Sequence, residues 1–167
     1  MKKQLFNSHW VLNGREVILP RDEMILTERK ADSAAGDAQG FFQGGSYVYE
    51  KKFGKPAEYA WVEFDGVYKN AKVYLNDRLI ADVPYGYIPF KAELKDLKEE
   101  NTIRVECDNK DQPDSRWYAG AGIYRDVFLY TADHAYVIPK SVKVSTLDYS
   151  KGLIHVSAGT SDSSEPV

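Results

Sequence analysis

The sequence lacks the features that mark several common classes of protein. Its single cysteine, Cys107, excludes an internal disulfide and a cysteine-based zinc site. No hydrophobic run approaches the length of a transmembrane helix, and polar residues from Gln4 to His9 interrupt the apolar stretch that a signal peptide needs. We therefore expect no membrane association, and a cytoplasmic location, or a periplasmic or secreted one if a leader has been removed.

Neither sign of charge dominates. The 22 Lys and Arg residues are interspersed with 25 Asp and Glu residues, so no basic patch for nucleic acid is predicted. The three histidines are scattered, and the motifs Gly-x-Ser-x-Gly and His-Glu-x-x-His are absent. An acidic loop from Asp108 to Asp114 could hold calcium or another metal ion, but its spacing departs from the EF-hand pattern. We predict a domain without a cofactor.

The sequence is rich in segments where apolar and polar residues alternate, a pattern typical of strands. It is also rich in aromatic residues, with twelve Tyr, seven Phe and three Trp. Between Thr102 and Cys107, apolar and polar residues alternate, which predicts a strand with Ile103, Val105 and Cys107 facing inward. Asn76-Asp77 separates two apolar runs and predicts a tight hairpin. Only residues 92–100 are compatible with a short helix. These patterns predict an all-β fold, an antiparallel sandwich or barrel.

The chain changes character near Thr131. Two further strand patterns follow, at residues 140–146 and 152–158, but about 37 residues are too few for an immunoglobulin-type sandwich of roughly 100 residues. We predict a β-sandwich domain at residues 1–130, then a linker and the first strands of a truncated immunoglobulin-like domain at residues 131–167. The alternative is that this tail supplies a final strand pair to the first domain.

Two long loops, residues 32–45 and 108–125, are candidates for binding because long loops on a β scaffold concentrate functional residues. The second contains the predicted carbohydrate-binding residues. Trp117 and Tyr118 offer flat apolar faces for the C–H surface of a pyranose, and Arg116 offers a fork of donors for hydroxyl groups. The same loop could instead brace the sandwich against another domain. The complete predicted set is Asp114, Ser115, Arg116, Trp117 and Tyr118.

No catalytic residue is predicted. Glycoside hydrolysis takes two carboxyl groups, one of them held protonated by its surroundings. Glu63 and Asp65 share one strand face, and we interpret them as part of a solvated surface.

Several segments in order resemble the N-terminal sugar-binding domain of glycoside hydrolase family 2, particularly its β-galactosidase-like members. Residues 17–22 with 42–49 are similar to a Leu-Pro-His-Asp stretch and a Gly-Gly-x-Tyr-x-Tyr loop, with Arg21 in place of the histidine. Residues 64–76 are similar to Phe-x-Gly-Val-x-x-x-Ala-x-Val-x-Leu-Asn, and residues 85–90 continue the match. Residues 115–125, Ser-Arg-Trp-Tyr-Ala-Gly-Ala-Gly-Ile-Tyr-Arg, resemble the most recognisable string of that domain.

The resemblance implies a jelly-roll, galactose-binding-domain-like antiparallel β-sandwich that completes the sugar pocket of a retaining β-glycosidase. The catalytic glutamates of that family lie on a (β/α)₈ barrel, of which this sequence contains nothing. The implied partners are a β-galactoside or a related carbohydrate, the remaining domains of a parent chain, and further copies of that parent in a homo-oligomer. A freestanding lectin-like module and a purely structural interface domain are the alternative functions.

Overall fold

Strands make up nearly all the regular structure of the protein. The computed structural model describes residues 1–113, 115–138 and 140–161. Within them lie two short 3₁₀ helices, η1 (Met24–Leu26) and η2 (Gly36–Gln39), and no helix long and apolar enough to cross a membrane. The all-β prediction is confirmed. The strands are β1 (Lys2–Leu5), β2 (Trp10–Leu12), β3 (Arg15–Val17), β4 (Ser46–Gly54), β5 (Tyr59–Phe64), β6 (Ala71–Leu75), β7 (Arg78–Val83), β8 (Phe90–Glu93), β9 (Glu100–Asp108), β10 (Val127–Ala132), β11 (Lys143–Asp148) and β12 (Leu153–Ser157).

Ten of the strands form two antiparallel sheets that enclose one core. The smaller sheet has the order β1-β10-β5-β8, and the larger has the order β3-β2-β4-β9-β6-β7. Alternation decides which side chains enter the core: along β9, Ile103, Val105 and Cys107 are buried and the residues between them are not. This confirms the predicted strand face. Trp10 from β2 is fully buried and its indole N–H donates to the carbonyl oxygen of Phe6 at 2.8 Å.

The chain passes from one sheet to the other repeatedly, and this places three connections at one end of the sandwich. Residues 65–70, 84–89 and 109–126 join β5 to β6, β7 to β8 and β9 to β10, which lie in different sheets. Tyr68 and Gly122 exchange backbone hydrogen bonds of 2.9 Å, and the Tyr124 hydroxyl donates to the carbonyl oxygen of Gly86 at 2.8 Å. The predicted binding loop therefore lies beside two other crossover loops.

The β6–β7 hairpin is formed as predicted. Asn76 and Asp77 have φ values of 48° and 67°, the left-handed pair that a two-residue turn of this kind requires. The predicted helical turn at residues 92–100 is wrong. Ala92 belongs to β8, where it pairs with Val62, and β9 begins at residue 100. Leu94 is buried and its N–H donates to the carbonyl oxygen of Ala60 at 2.9 Å, so sheet contacts override a weak local helical preference.

After β10 the chain forms a separate two-stranded sheet from β11 and β12. Val144 pairs with Val156, and Ile154 pairs with Thr146, so these apolar side chains share one face of the hairpin. Val144, Ile154 and Val156 are 63%, 57% and 54% exposed, whereas Lys143 and His155 lie on the opposite face. The proposed division of the chain near residue 130 stays a prediction.

Candidate functional site

The predicted binding segment lies on the 109–126 loop, which crosses the end of the sandwich between the two sheets. Trp117 is 60% exposed and Tyr118 is 38% exposed. Arg116 is also exposed and makes no hydrogen bond or ion pair with the part of the chain that the structure describes. Asp114 lies outside the described residues. The segment is an exposed loop rather than a core strand, and its role in binding stays a prediction.

Gln39 of η2 holds this loop in place. Its side chain is fully buried, and its amide nitrogen donates to Ser115 Oγ and to the carbonyl oxygen of Trp117, both at 2.9 Å. Its amide oxygen accepts from the backbone N–H of Ala119 at 2.9 Å. The Ser115 hydroxyl also donates to the Trp117 carbonyl oxygen at 2.7 Å. Ser115 is therefore part of the internal support of the loop, and one amide side chain joins the two long loops.

Asp22 holds the other half of the segment. Its Oδ2 accepts from the Tyr118 hydroxyl at 2.6 Å, and its Oδ1 accepts from the backbone N–H groups of Ala121 and Met24 at 3.0 and 3.1 Å. Gly120 has φ +70°, and a Cβ atom there would lie 2.9 Å from Asp22 Oδ2, so this close approach needs glycine. Burial, together with the Asp22 carboxylate, raises the pKa of Tyr118 well above its ordinary value. Tyr118 therefore supports the loop through its hydroxyl.

Asn109 fixes the start of the loop. Its side chain is buried, accepts from the N–H of Gly45 at 2.8 Å and donates to the carbonyl oxygen of Gly120 at 2.9 Å. Its neighbour Asp108 accepts from the Ser46 hydroxyl at 2.7 Å and from the N–H of Lys110 at 2.8 Å. The polar groups at the start of the predicted acidic loop thus already have protein partners. Among the described residues no group of three or more His, Cys, Asp or Glu residues could hold a metal ion.

Three exposed aromatic side chains form a continuous surface beside this support, and we call them the aromatic strip: Trp117, Tyr87 and Tyr85. The Trp117 indole N–H donates to the Tyr87 hydroxyl at 3.0 Å, and the rings of Tyr87 and Tyr85 have centroids 5.7 Å apart. Their exposed fractions are 60%, 37% and 59% in that order. Residues 85–90 were singled out only by the family resemblance, because nothing local in the sequence indicates that two crossover loops meet.

Arg21, which stands where the family pattern has histidine, has a local partner. Its Nε donates to Glu23 Oε2 at 2.6 Å, and Glu23 also pairs with Arg15. The backbone N–H groups of Arg21 and Glu23 donate to the carbonyl oxygens of Ile123 and Ala121. Arg21 therefore ties the 18–45 loop to the 109–126 loop, and its guanidinium group is engaged within the protein.

The interpretation of Glu63 as part of a solvated face is wrong. Its side chain is 5% exposed on the outer face of the smaller sheet, where Lys91, Lys140 and Lys3 place their Nζ atoms 2.9, 3.7 and 3.9 Å from its carboxylate oxygens. Burial opposes ionisation, but the hydrogen bond and charge of Lys91 and the charges of the other two lysines outweigh it and lower the pKa of Glu63. Glu63 is thus a structural carboxylate, ionised at neutral pH.

Comparison with known proteins gives consistent relatives in sequence and in fold. The chain is 40% identical to a β-galactosidase from Bacteroides ovatus over 122 residues, 69% of this chain and 14% of that protein. It is 34% identical to a β-glucuronidase from Bacteroides fragilis over 150 residues, 81% of this chain and 21% of that protein. The chain therefore matches less than a quarter of the length of each of these two relatives. No family model matches the sequence.

Solved structures give the same result. A β-glycosidase from Bacteroides vulgatus superposes with a TM-score of 0.84 at 25% identity, over 96% of this chain and 24% of that one. A glycosyl hydrolase family 2 member from Bacteroides cellulosilyticus superposes with a TM-score of 0.80 at 28% identity, over 95% of this chain and 24% of that one. The family resemblance that the sequence motifs indicated is confirmed.

Proposed function

Since the chain is a domain of the glycoside hydrolase family 2 type, we propose that it is an accessory carbohydrate-binding domain of a retaining β-glycosidase. In this proposal the loop that carries Arg116 and Trp117 forms the rim of a sugar pocket, and the reacting carboxyl groups belong to a separate catalytic domain. Two relatives are a β-galactosidase and a β-glucuronidase, so a β-galactoside or a β-glucuronide is the proposed ligand.

The observation that carries the proposal is an indole that is exposed and yet fixed. Trp117 is 60% exposed, but its ring N–H bonds to Tyr87 and its carbonyl oxygen bonds to Gln39. An aromatic face held in one orientation loses little conformational entropy when a ligand binds. Arg116 stands beside it, and its donors make no hydrogen bond or ion pair with the residues that the structure describes. They can bond to the hydroxyl groups or the carboxylate of a sugar.

The charges around Glu63 argue against a catalytic role for that carboxylate. A retaining glycosidase needs one carboxylate as nucleophile and one carboxylic acid that stays protonated until it donates. The buried carboxylate of Glu63 lies within 4 Å of three lysine ammonium groups, which favour its ionised form. It is therefore unsuited to be the protonated acid of such a pair.

One observation favours a second candidate, a structural interface domain. Ile88 is 47% exposed in the same crossover loop as Tyr85 and Tyr87, so the surface beside Trp117 is apolar as well as aromatic. Exposed apolar surface of this kind also occurs where two protein domains meet. In this alternative Trp117 packs against another domain and never contacts sugar.

Titration of the 167-residue chain with methyl β-galactoside and methyl β-glucuronide, followed by calorimetry and tryptophan fluorescence, separates the two candidates. We expect dissociation constants of about 1 mM, or roughly 4 kcal/mol of binding free energy, for at least one sugar. Trp117→Ala should weaken that binding at least tenfold. Tyr149→Ala, which removes a ring that is 94% exposed in the turn between β11 and β12, should leave it unchanged. If neither sugar shows measurable binding, or if Trp117→Ala binds sugar as tightly as the wild type, the interface role is favoured.

A further inference from the structure

We infer that the aromatic strip binds a second sugar unit beside the one at Trp117, so that the site recognises an oligosaccharide rather than a single pyranose. The inference rests on the proposed function and deepens it, because it names the class of carbohydrate. It assigns a binding role to Tyr85 and Tyr87, which lie outside the predicted set of site residues.

The geometry of the strip supports two neighbouring subsites. Tyr87 contacts Trp117 through a hydrogen bond of 3.0 Å at its hydroxyl and contacts Tyr85 ring to ring at 5.7 Å. Tyr87 therefore contacts both of the others, and Trp117 and Tyr85 are the more exposed rings of the three. Tyr85 is 59% exposed and presents an apolar face of its own. A ligand that covers only Trp117 leaves this second face bare.

The loop that carries Tyr85 is held rigidly, so its ring belongs to a preformed surface. The Tyr124 hydroxyl donates to the Gly86 carbonyl oxygen at 2.8 Å, and the Tyr68 and Tyr87 rings lie 5.2 Å apart. A Cβ atom at residue 86 would lie 2.3 Å from Tyr68 Cδ2, which shows how closely the backbone lies against that ring. Tyr68 and Tyr124 therefore both contact the loop and hold its backbone in place beside the strip.

The polar groups around the strip suit a sugar. The Tyr85 hydroxyl makes no hydrogen bond with the described part of the chain, and Arg125 lies nearby with its Cζ 5.3 Å from the centre of the Tyr124 ring. Arg125 is exposed, as is Arg116 at the other end. A pyranose combines a C–H face, which packs on an aromatic ring, with hydroxyl groups that accept hydrogen bonds from donors of this kind.

The test compares sugars of different length on the 167-residue chain: methyl β-galactoside and β-1,4-linked galactotriose, measured by calorimetry. We expect the trisaccharide to bind about tenfold more tightly, a gain of roughly 1.4 kcal/mol. Tyr85→Ala should remove that gain and leave the affinity for methyl β-galactoside within about twofold. Tyr85→Phe should retain the gain, because the ring remains, and Tyr149→Ala should behave as the wild type.

An NMR titration gives a second measurement that does not depend on a variant. The backbone amide of Gly86 should shift when galactotriose is added and stay still with methyl β-galactoside, whereas the Trp117 indole N–H should respond to both. Equal affinity for the two sugars, or a Tyr85→Ala variant that weakens both to the same degree, would overturn the inference and leave binding at Trp117 intact. If methyl β-galactoside, galactotriose and methyl β-glucuronide all fail to bind, the proposed function fails together with it.

Discussion

Replacement of Gln39 by methionine removes three hydrogen bonds from the loop that carries Trp117 while it fills nearly the same volume. Each of these bonds contributes about 0.5–1.5 kcal/mol net, and the Ala119 N–H loses its acceptor on Gln39. The Ser115–Trp117 hydrogen bond of 2.7 Å remains and limits the loss. We therefore expect the free energy of unfolding to fall by about 3 kcal/mol.

Urea denaturation followed by circular dichroism and by tryptophan fluorescence measures this change. With a dependence of about 2 kcal/mol per molar urea, the midpoint should fall by about 1.5 M. Sugar affinity should fall as well, because the Trp117 carbonyl oxygen loses its buried anchor. Gln43→Met is the matched control, since Gln43 lies in the same long loop and is only half-buried. A midpoint within about 0.3 M of the wild type would refute the idea that Gln39 holds the two loops together.

Three further predictions follow from groups elsewhere in the sandwich. Glu63→Gln should lower the free energy of unfolding by about 1–3 kcal/mol at neutral pH. Because folding lowers the pKa of Glu63, the difference in unfolding free energy between the variant and the wild type should be largest above about pH 5. It should disappear as the pH falls through the folded pKa. Urea midpoints of both proteins at pH 7 and pH 3 measure this. Gly122→Ala should lower the free energy of unfolding by about 2–4 kcal/mol, because φ is +98° and the new Cβ would lie 2.2 Å from the Tyr49 hydroxyl oxygen. In thermal melts, the double variant with Tyr49→Phe should recover part of this loss. No recovery would show that the clash is unimportant. The purified chain should release no nitrophenol from nitrophenyl β-galactoside, and turnover that survives further purification would place catalytic groups within it.

The sequence predicted those parts of the fold that depend on local pattern. The alternation in β9 and the Asn76-Asp77 turn each follow from backbone geometry, and the structure confirms both. The helical turn at residues 92–100 failed because nonlocal pairing of Ala92 with Val62 decides that segment. A local helical preference over nine residues is weaker than backbone hydrogen bonding to a neighbouring strand.

The candidate site divides in the same way. The exposed aromatic residues Trp117 and Tyr118 were found from their loop, whereas Gln39 and Asp22, which support that loop, were not nominated. Gln39 bonds to Ser115, 76 positions away, and Asp22 bonds to Tyr118, 96 positions away. No local signal in the sequence marks such a partner. The burial of Glu63 was missed for a similar reason, since its three lysines, Lys3, Lys91 and Lys140, come from three separate parts of the chain.

The exposed apolar face of the β11–β12 hairpin should determine how readily the chain associates at high concentration. Val144, Ile154 and Val156 present adjacent branched side chains to solvent on a strand pair with free edges, a combination that recruits other strands. Colloidal stability should therefore be set here, remote in sequence from the Trp117 loop. Val144→Lys should raise the highest concentration at which light scattering shows a monodisperse sample.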